Sequence, residues 1–164
     1  EDSLTTANRM LMKDSVYQEN GVVVREIFRK HGFPDTSLVG EDGQHDFWLL
    51  VQHMDFDPEF QERVLTAMET LAKQGAANAV DFAYLTDRVR LARGEKQWYG
   101  TQIMQLDNMM AVPRPTADSL LLNDRRATIN MESIEAYLNG YMEMHFEINR
   151  AYYAEQGLNE PFRY

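Results

Sequence analysis

The chain has 164 residues and a mass of 19.1 kDa, with 16 Lys and Arg against 26 Asp and Glu, a formal charge of −10 and a pI near 4.8. That length suits one domain, and the charge argues against a nucleic acid or an anionic membrane surface as partner, because both repel a polyanion. No apolar run of about 18 residues exists to span a bilayer, and the absence of cysteine removes disulfides, thiolate metal sites and cysteine nucleophiles together.

Thr5 to His31 reads as a helix, with Leu11, Val16, Val23, Ile27 and Phe28 as its apolar stripe and Gly21 weakening its middle. His31-Gly32-Phe33-Pro34 ends it: glycine at the C-cap, then a proline that cannot continue a helix. A loop carrying Leu38-Val39-Gly40 follows, then a helix from about Asp42 to His53, with Phe47, Leu50, Val51 and Met54 on one buried face. Asp57-Pro58-Glu59 is a helix start: an N-cap, a proline in the first turn and an acid near the positive dipole end. Phe60, Val64, Leu65, Met68 and Leu71 form the apolar stripe of that helix, and Gly75 closes it. A further helix takes Ala79 to about Arg93 and stops at Gly94.

From Tyr99 to Pro113 the period changes to a loose alternation with Asp107-Asn108 at its centre, which predicts a β-hairpin. Helical spacing returns from Met131 to about Gln156 through Ile134, Leu138, Tyr141, Met142, His145, Ile148 and Tyr152. With no repeat and no composition break, the expectation is mainly α: a single helical domain over residues 1–164, of about five helices with a small inserted β-hairpin.

Polar residues on these apolar frames mark candidate sites. His53, Asp55 and Asp57 cluster where two helices meet, which gives either a base with an orienting carboxylate or a cap and a dipole-favoured histidine. Asp57 fits the capping role. His45 and His53 stand eight residues apart and share no helical face, so no dedicated metal site is expected, although His53 and Asp55 would suit a weak zinc or calcium site. His145, within Tyr141, Met142, Met144 and Phe146, reads as a core or boundary residue.

Tyr84 and Arg88 lie one helical turn apart on the apolar face, where an arginine needs a carboxylate, either from the core or from an anionic ligand. Tyr99-Gly100-Thr101-Gln102 opens the hairpin with neutral hydrogen-bonding groups, although a structural bulge explains the glycine as well. Asn123-Asp124-Arg125-Arg126 is the densest basic spot of an acidic chain; solvated ion pairing explains it more simply than an anion clamp. No phosphate-binding glycine loop, nucleophile elbow or kinase signature is present, so no organic cofactor is expected.

In order and spacing, these segments resemble a bacterial family catalogued as domain of unknown function 6624. The resemblance runs through His31-Gly32-Phe33-Pro34, Val39-Gly40, Trp48 to His53 with Asp55, Asp57-Pro58 and Phe60-Gln61. It continues through Ala83-Tyr84-Leu85, Asp87-Arg88-Val89, Tyr99-Gly100-Thr101-Gln102, Pro113, Pro115, Asp118, Asp124-Arg125-Arg126-Ala127 and Tyr137-Leu138. It covers about residues 14–138 and leaves 139–164 as a C-terminal helical extension. Asp14-Ser15 and Gln18 depart from the family pattern. The resemblance carries no reaction, but it implies that the polar positions His31, Gln52, His53, Asp55, Asp87, Arg88, Tyr99, Gln102 and Arg126 line a site.

The expected function is therefore an enzyme-like pocket for a small polar or anionic molecule. His53, Asp55 and Tyr99 would be catalytic; His31, Gln52, Asp87, Arg88, Gln102 and Arg126 would bind substrate. The alternative is an acidic module that neutralises a basic protein partner, as immunity proteins and antitoxins do. A third is a scaffold whose aromatic last helix pairs with another chain. The expected location is aqueous: cytoplasmic or, where a signal peptide preceded Glu1, periplasmic or secreted.

Overall fold

The computed structural model describes the backbone of residues 2–106 and 110–164, and within that range the side chains from residue 15 onward. It divides into two compact units, Glu1–Arg93 and Gly94–Tyr164. The first holds helices α1 (Asp2–His31), α2 (Thr36–Gln52), α3 (Pro58–Lys73) and α4 (Ala79–Ala92). The second holds strands β1 (Ile103–Gln105) and β2 (Ala111–Pro113), a 3-10 turn (Ser119–Leu121), and helices α5 (Leu122–Ala127), α6 (Ile134–Ile148) and α7 (Arg150–Glu155). The chain is mainly α with one small hairpin. No helix is long and apolar enough to cross a membrane among the described residues.

Helix α1 ends at His31 as its Gly32-Phe33-Pro34 sequence requires, with Gly32 at φ +70. Its buried side departs from the expected stripe, of which Phe28 packs on the core and Leu11 lies outside the described side chains. Val16, Val23 and Ile27 are exposed, whereas Gly21 and Val24 are buried, with Tyr17 and Phe28 half-buried beside them. Gly21 lies on the buried side, where a Cβ would stand 3.1 Å from the terminal methyl of Met54, so glycine permits close approach to the turn after α2.

Helix α2 begins at Thr36, six residues earlier than the spacing predicts. Asp35 caps it by accepting the Ser37 and Leu38 amides, and its carboxyl is held below the usual range, first by the Ser37 hydroxyl. The segment expected as a loop is thus one helical turn, separated from the main helix by Gly40 at φ +74, ψ 174. The start of α3 is as predicted, with Asp57 accepting the Phe60 amide at 3.1 Å and Pro58 in the first turn.

The core of this unit gathers Val24, Phe47, Trp48, Val51, Met54, Phe60, Val64, Met68, Leu85 and Val89. Fully burying each of the larger ones contributes about 1.5–3 kcal/mol. Gln44, almost fully buried, ties two loops together: its amide donates to the Pro34 and Ala76 carbonyls and accepts from Asn78 N–H.

In the second unit β1 pairs antiparallel with β2, Met104 opposite Val112. The predicted turn at Asp107-Asn108 lies outside the described residues. The hairpin packs on Leu122, Ile134, Leu138 and Met142. The single helix expected over residues 131–156 is broken at Asn149 (φ −111, ψ 21), whose side-chain amide donates to the His145 carbonyl at 2.8 Å. The buried face runs through Ile134, Leu138, Met142 and Phe146 and resumes seven residues on at Tyr153, so the expected Ile148 and Tyr152 lie beside it and face solvent. Tyr153 is buried instead, its ring stacked 5.7 Å from Phe146. Residues 122–127, which carry the Asn-Asp-Arg-Arg segment, form a helix that the spacing did not predict.

Candidate functional site

The turn from α2 to α3 presents His53 and Asp55. His53 is the C-cap of α2, half-buried, its ring centroid 4.9 Å from that of Tyr17. The next side chain, Met54, is buried in the core, and this anchors the turn.

Asp55 is then fixed from two elements. Arg88 Nη1, from α4, donates to both of its oxygens at 3.0 and 2.9 Å. Gln61 Nε2, from α3, reaches Oδ1 at 3.2 Å and also the Val51 and Gln52 carbonyls at 3.1 Å. Gln61 is 1% exposed, yet the Asp55 side chain remains 65% exposed. A carboxylate is thus held rigidly by the protein while open to solvent. Arg88 Nε is buried and makes no hydrogen bond.

Asp57 lies two residues on but does not join this group. One oxygen caps α3, and the other takes Arg25 Nη1 at 2.9 Å. Gln52 and Asp87 are buried beside Val51 and Arg88 in sequence. Among the described residues, no three His, Asp or Glu side chains are grouped to hold a metal ion.

Tyr99, Gln102 and Arg126 belong to the second unit. Arg126 is fully buried, its Nε donating to the Glu132 carbonyl and its Nη1 to the Tyr99 carbonyl at 2.8 Å, with the guanidinium 5.2 Å from the Tyr137 ring. It braces backbone where the sequence suggested a clamp for an anion. Gln102 has its backbone N–H and carbonyl bound by the fully buried Gln97 and its side chain turned to Thr101. Gly100 has a local cause: φ is +68, and a Cβ would meet Ile134 and Leu122 at 3.3 Å.

His31 is separate again. It lines a cavity of about 510 Å³ between α1 and α2, whose walls include Val23, Ile27, Leu38, Val39 and Phe47. None of the other eight expected site residues lines it.

A family model described as a family of unknown function (DUF6624) matches residues 4–148. The chain belongs to that family. The match reaches beyond both ends of the segment that carries the sequence resemblance: it takes in α1 from residue 4, α2, α3 and α4 of the first unit, and α5 and α6 of the second. No curated protein and no solved structure matches the chain.

Sequence reasoning gave no role to Gln61, although the resemblance includes it, and missed Gln44 and Gln97, because nothing in a single sequence marks these glutamines as buried. It also missed the pair of His45 and Asp81, joined Nδ1 to Oδ2 at 2.9 Å across α2 and α4. Burial pushes the Asp81 carboxyl above its usual range, and the His45 hydrogen bond opposes that only in part. The only available signal was an acid in the first turn of a helix and a histidine in another, 36 residues apart.

Proposed function

We propose that this DUF6624 protein acts on or binds a small polar or anionic molecule at the turn between α2 and α3. His53 gives or takes the proton, Asp55 is its fixed carboxylate, and Arg88 offers its remaining donors to an anionic group. The observation that carries this reading is the restraint on Asp55: a buried glutamine and an arginine from two helices orient a carboxylate that is left mostly open to water. Exposed ion pairs contribute little to stability, so such fixation is better explained by what Asp55 presents than by what it stabilises. The reading rests on first-unit residues alone.

The test is a thermal-shift screen of inorganic phosphate, amino acids, nucleotides and sugar phosphates on wild type, Arg88→Ala and His53→Ala. A ligand at a hundred times its dissociation constant adds about 2.7 kcal/mol of stability. The expected result is a hit that Arg88→Ala loses with its fold intact. Absence of any hit on a well-folded wild type, with all variants equally silent, rejects the reading.

A second reading, an acidic module for a basic partner, is favoured by one observation: residues 41–62 carry seven acids and neither Lys nor Arg. A cationic peptide bound with a steep salt dependence, unaffected by His53→Ala, would support it over the first.

A further inference from the structure

The cavity between α1 and α2 is a constructed feature. Its α2 wall exists because Asp35 caps one helical turn, and Gly40, at φ +74, folds that turn back towards the main helix. Leu38 and Val39 are the wall. Gly43 completes it: a Cβ there would stand 3.0 Å from Val39 Cβ, so glycine lets Val39 sit close against the helix. The α1 wall is the stripe whose burial the sequence predicted. Val23 is 58% exposed and Ile27 37%, one turn apart and facing the cavity instead of the core.

A volume of about 510 Å³ falls in the range of small-molecule sites, roughly 300–1,000 Å³. Three polar side chains line it, Asn20, His31 and Asp46, and none makes a hydrogen bond or ion pair among the described residues. The nearby cations of α1 are already engaged: Arg29 and Lys30 with Glu26, Arg25 with Asp57. Asp46, exposed at the cavity's rim, thus has no cationic partner among the described residues, on a stretch of chain that contains no Lys or Arg from residue 41 to 62.

We infer that this cavity is a second binding site, distinct from the His53–Asp55 turn, for an amphiphilic amine: an apolar body seated between Val23, Ile27, Leu38 and Val39, with its ammonium group at Asp46. Burial of the apolar body supplies the affinity, and the charge at Asp46 selects the cation over a neutral or anionic molecule of the same shape.

The experiment is calorimetric titration of the full chain with n-octylammonium, octanol and octanoate, on wild type, Asp46→Asn, Val23→Trp and Arg88→Ala. The expected order is octylammonium at least tenfold tighter than octanol, with octanoate weakest. Asp46→Asn brings octylammonium to the level of octanol, Val23→Trp fills the cavity and abolishes binding of all three, and Arg88→Ala changes nothing. Amide resonances of Val23, Ile27 and Leu38 shift on titration in wild type, which keeps the inference testable should Val23→Trp not fold. Octanoate binding as tightly as octylammonium, binding that survives in folded Val23→Trp, no binding by any probe, or a dimer in sedimentation that excludes octylammonium from this face would each overturn it.

Discussion

Gln61 and Asp55 meet at 3.2 Å through an amide nitrogen that also serves two carbonyls at the end of α2. One buried side chain therefore closes the C-terminus of α2 and sets the position of the exposed carboxylate after it. Helix ends leave carbonyls short of partners; the Val51 carbonyl takes the Met54 N–H at 3.0 Å, and a glutamine from the following helix adds a donor to it and to the Gln52 carbonyl.

Gln61→Ala leaves the Val51 and Gln52 carbonyls without that donor and opens a hole beside the core. The expected cost is about 2–3 kcal/mol, read as a fall in the urea midpoint at unchanged m-value. Asp55→Ala costs less, about 1 kcal/mol in the same measurement, because Asp55 itself is exposed although the Arg88 it pairs with is largely buried.

Asp81 makes stability depend on pH in a stated direction. Its carboxyl is raised by burial, so between its usual value and the raised one the folded chain holds a proton that the unfolded chain has lost. Its contribution is fully present below the usual carboxylate value and is lost as pH rises through the raised one. Asp81→Asn is neutral throughout. Its stability relative to wild type is expected to climb as pH rises through that window and to level off above it, in urea melts taken from pH 3 to 8. His45→Ala, by removing the main influence that lowers the carboxyl, moves the climb to higher pH.

Arg126→Lys cannot reproduce a fork that donates to the Tyr99 and Glu132 carbonyls at once. With the position fully buried, the expected loss is about 3 kcal/mol, seen as a lowered melting temperature and early amide exchange in residues 99–102 and 132. Unchanged stability in Arg126→Lys would mean that the guanidinium does not brace the backbone.

Gly100 and Gly157 both have positive φ, but only Gly100 is crowded. Alanine at either position pays about 1–2 kcal/mol for the left-handed backbone. Gly100→Ala is expected to cost about 1 kcal/mol more, because Ile134 and Leu122 must give way, and parallel thermal melts of the two variants measure the difference.

Local signals were legible and long-range partners were not. The start of α3 at Asp57-Pro58, the stop of α1 at Gly32 and the halt of α4 before Gly94 each depend on two or three adjacent residues, so the sequence contains them whole. The buried face of α1 does not, because it is set by residues far along the chain: Val24 packs into a core with Val51, Met54 and Phe60, and Gly21 lies against Met54, 33 positions on. The break at Asn149 escaped notice because asparagine is tolerated in helices and only its hydrogen bond to His145 shows that it ends one. At the candidate site, Arg88 announced its need for a carboxylate, but choosing Asp55 over Asp57 required knowing that Arg25 had taken the latter.

Gln97 holds three points of backbone, the N–H and carbonyl of residue 102 and the carbonyl of residue 114, and no side chain at either. A clamp of this kind constrains the path of the chain while leaving its chemistry free to drift. Residues 102 and 114 can be exchanged for almost any other without loosening it. Proline is the exception at both, since the N–H of 102 goes to Gln97 and that of 114 to the carbonyl of 102. Gln97 itself has no such latitude. Its carbonyl and amide must both be present to hold those three points, so neither glutamate nor alanine can replace it.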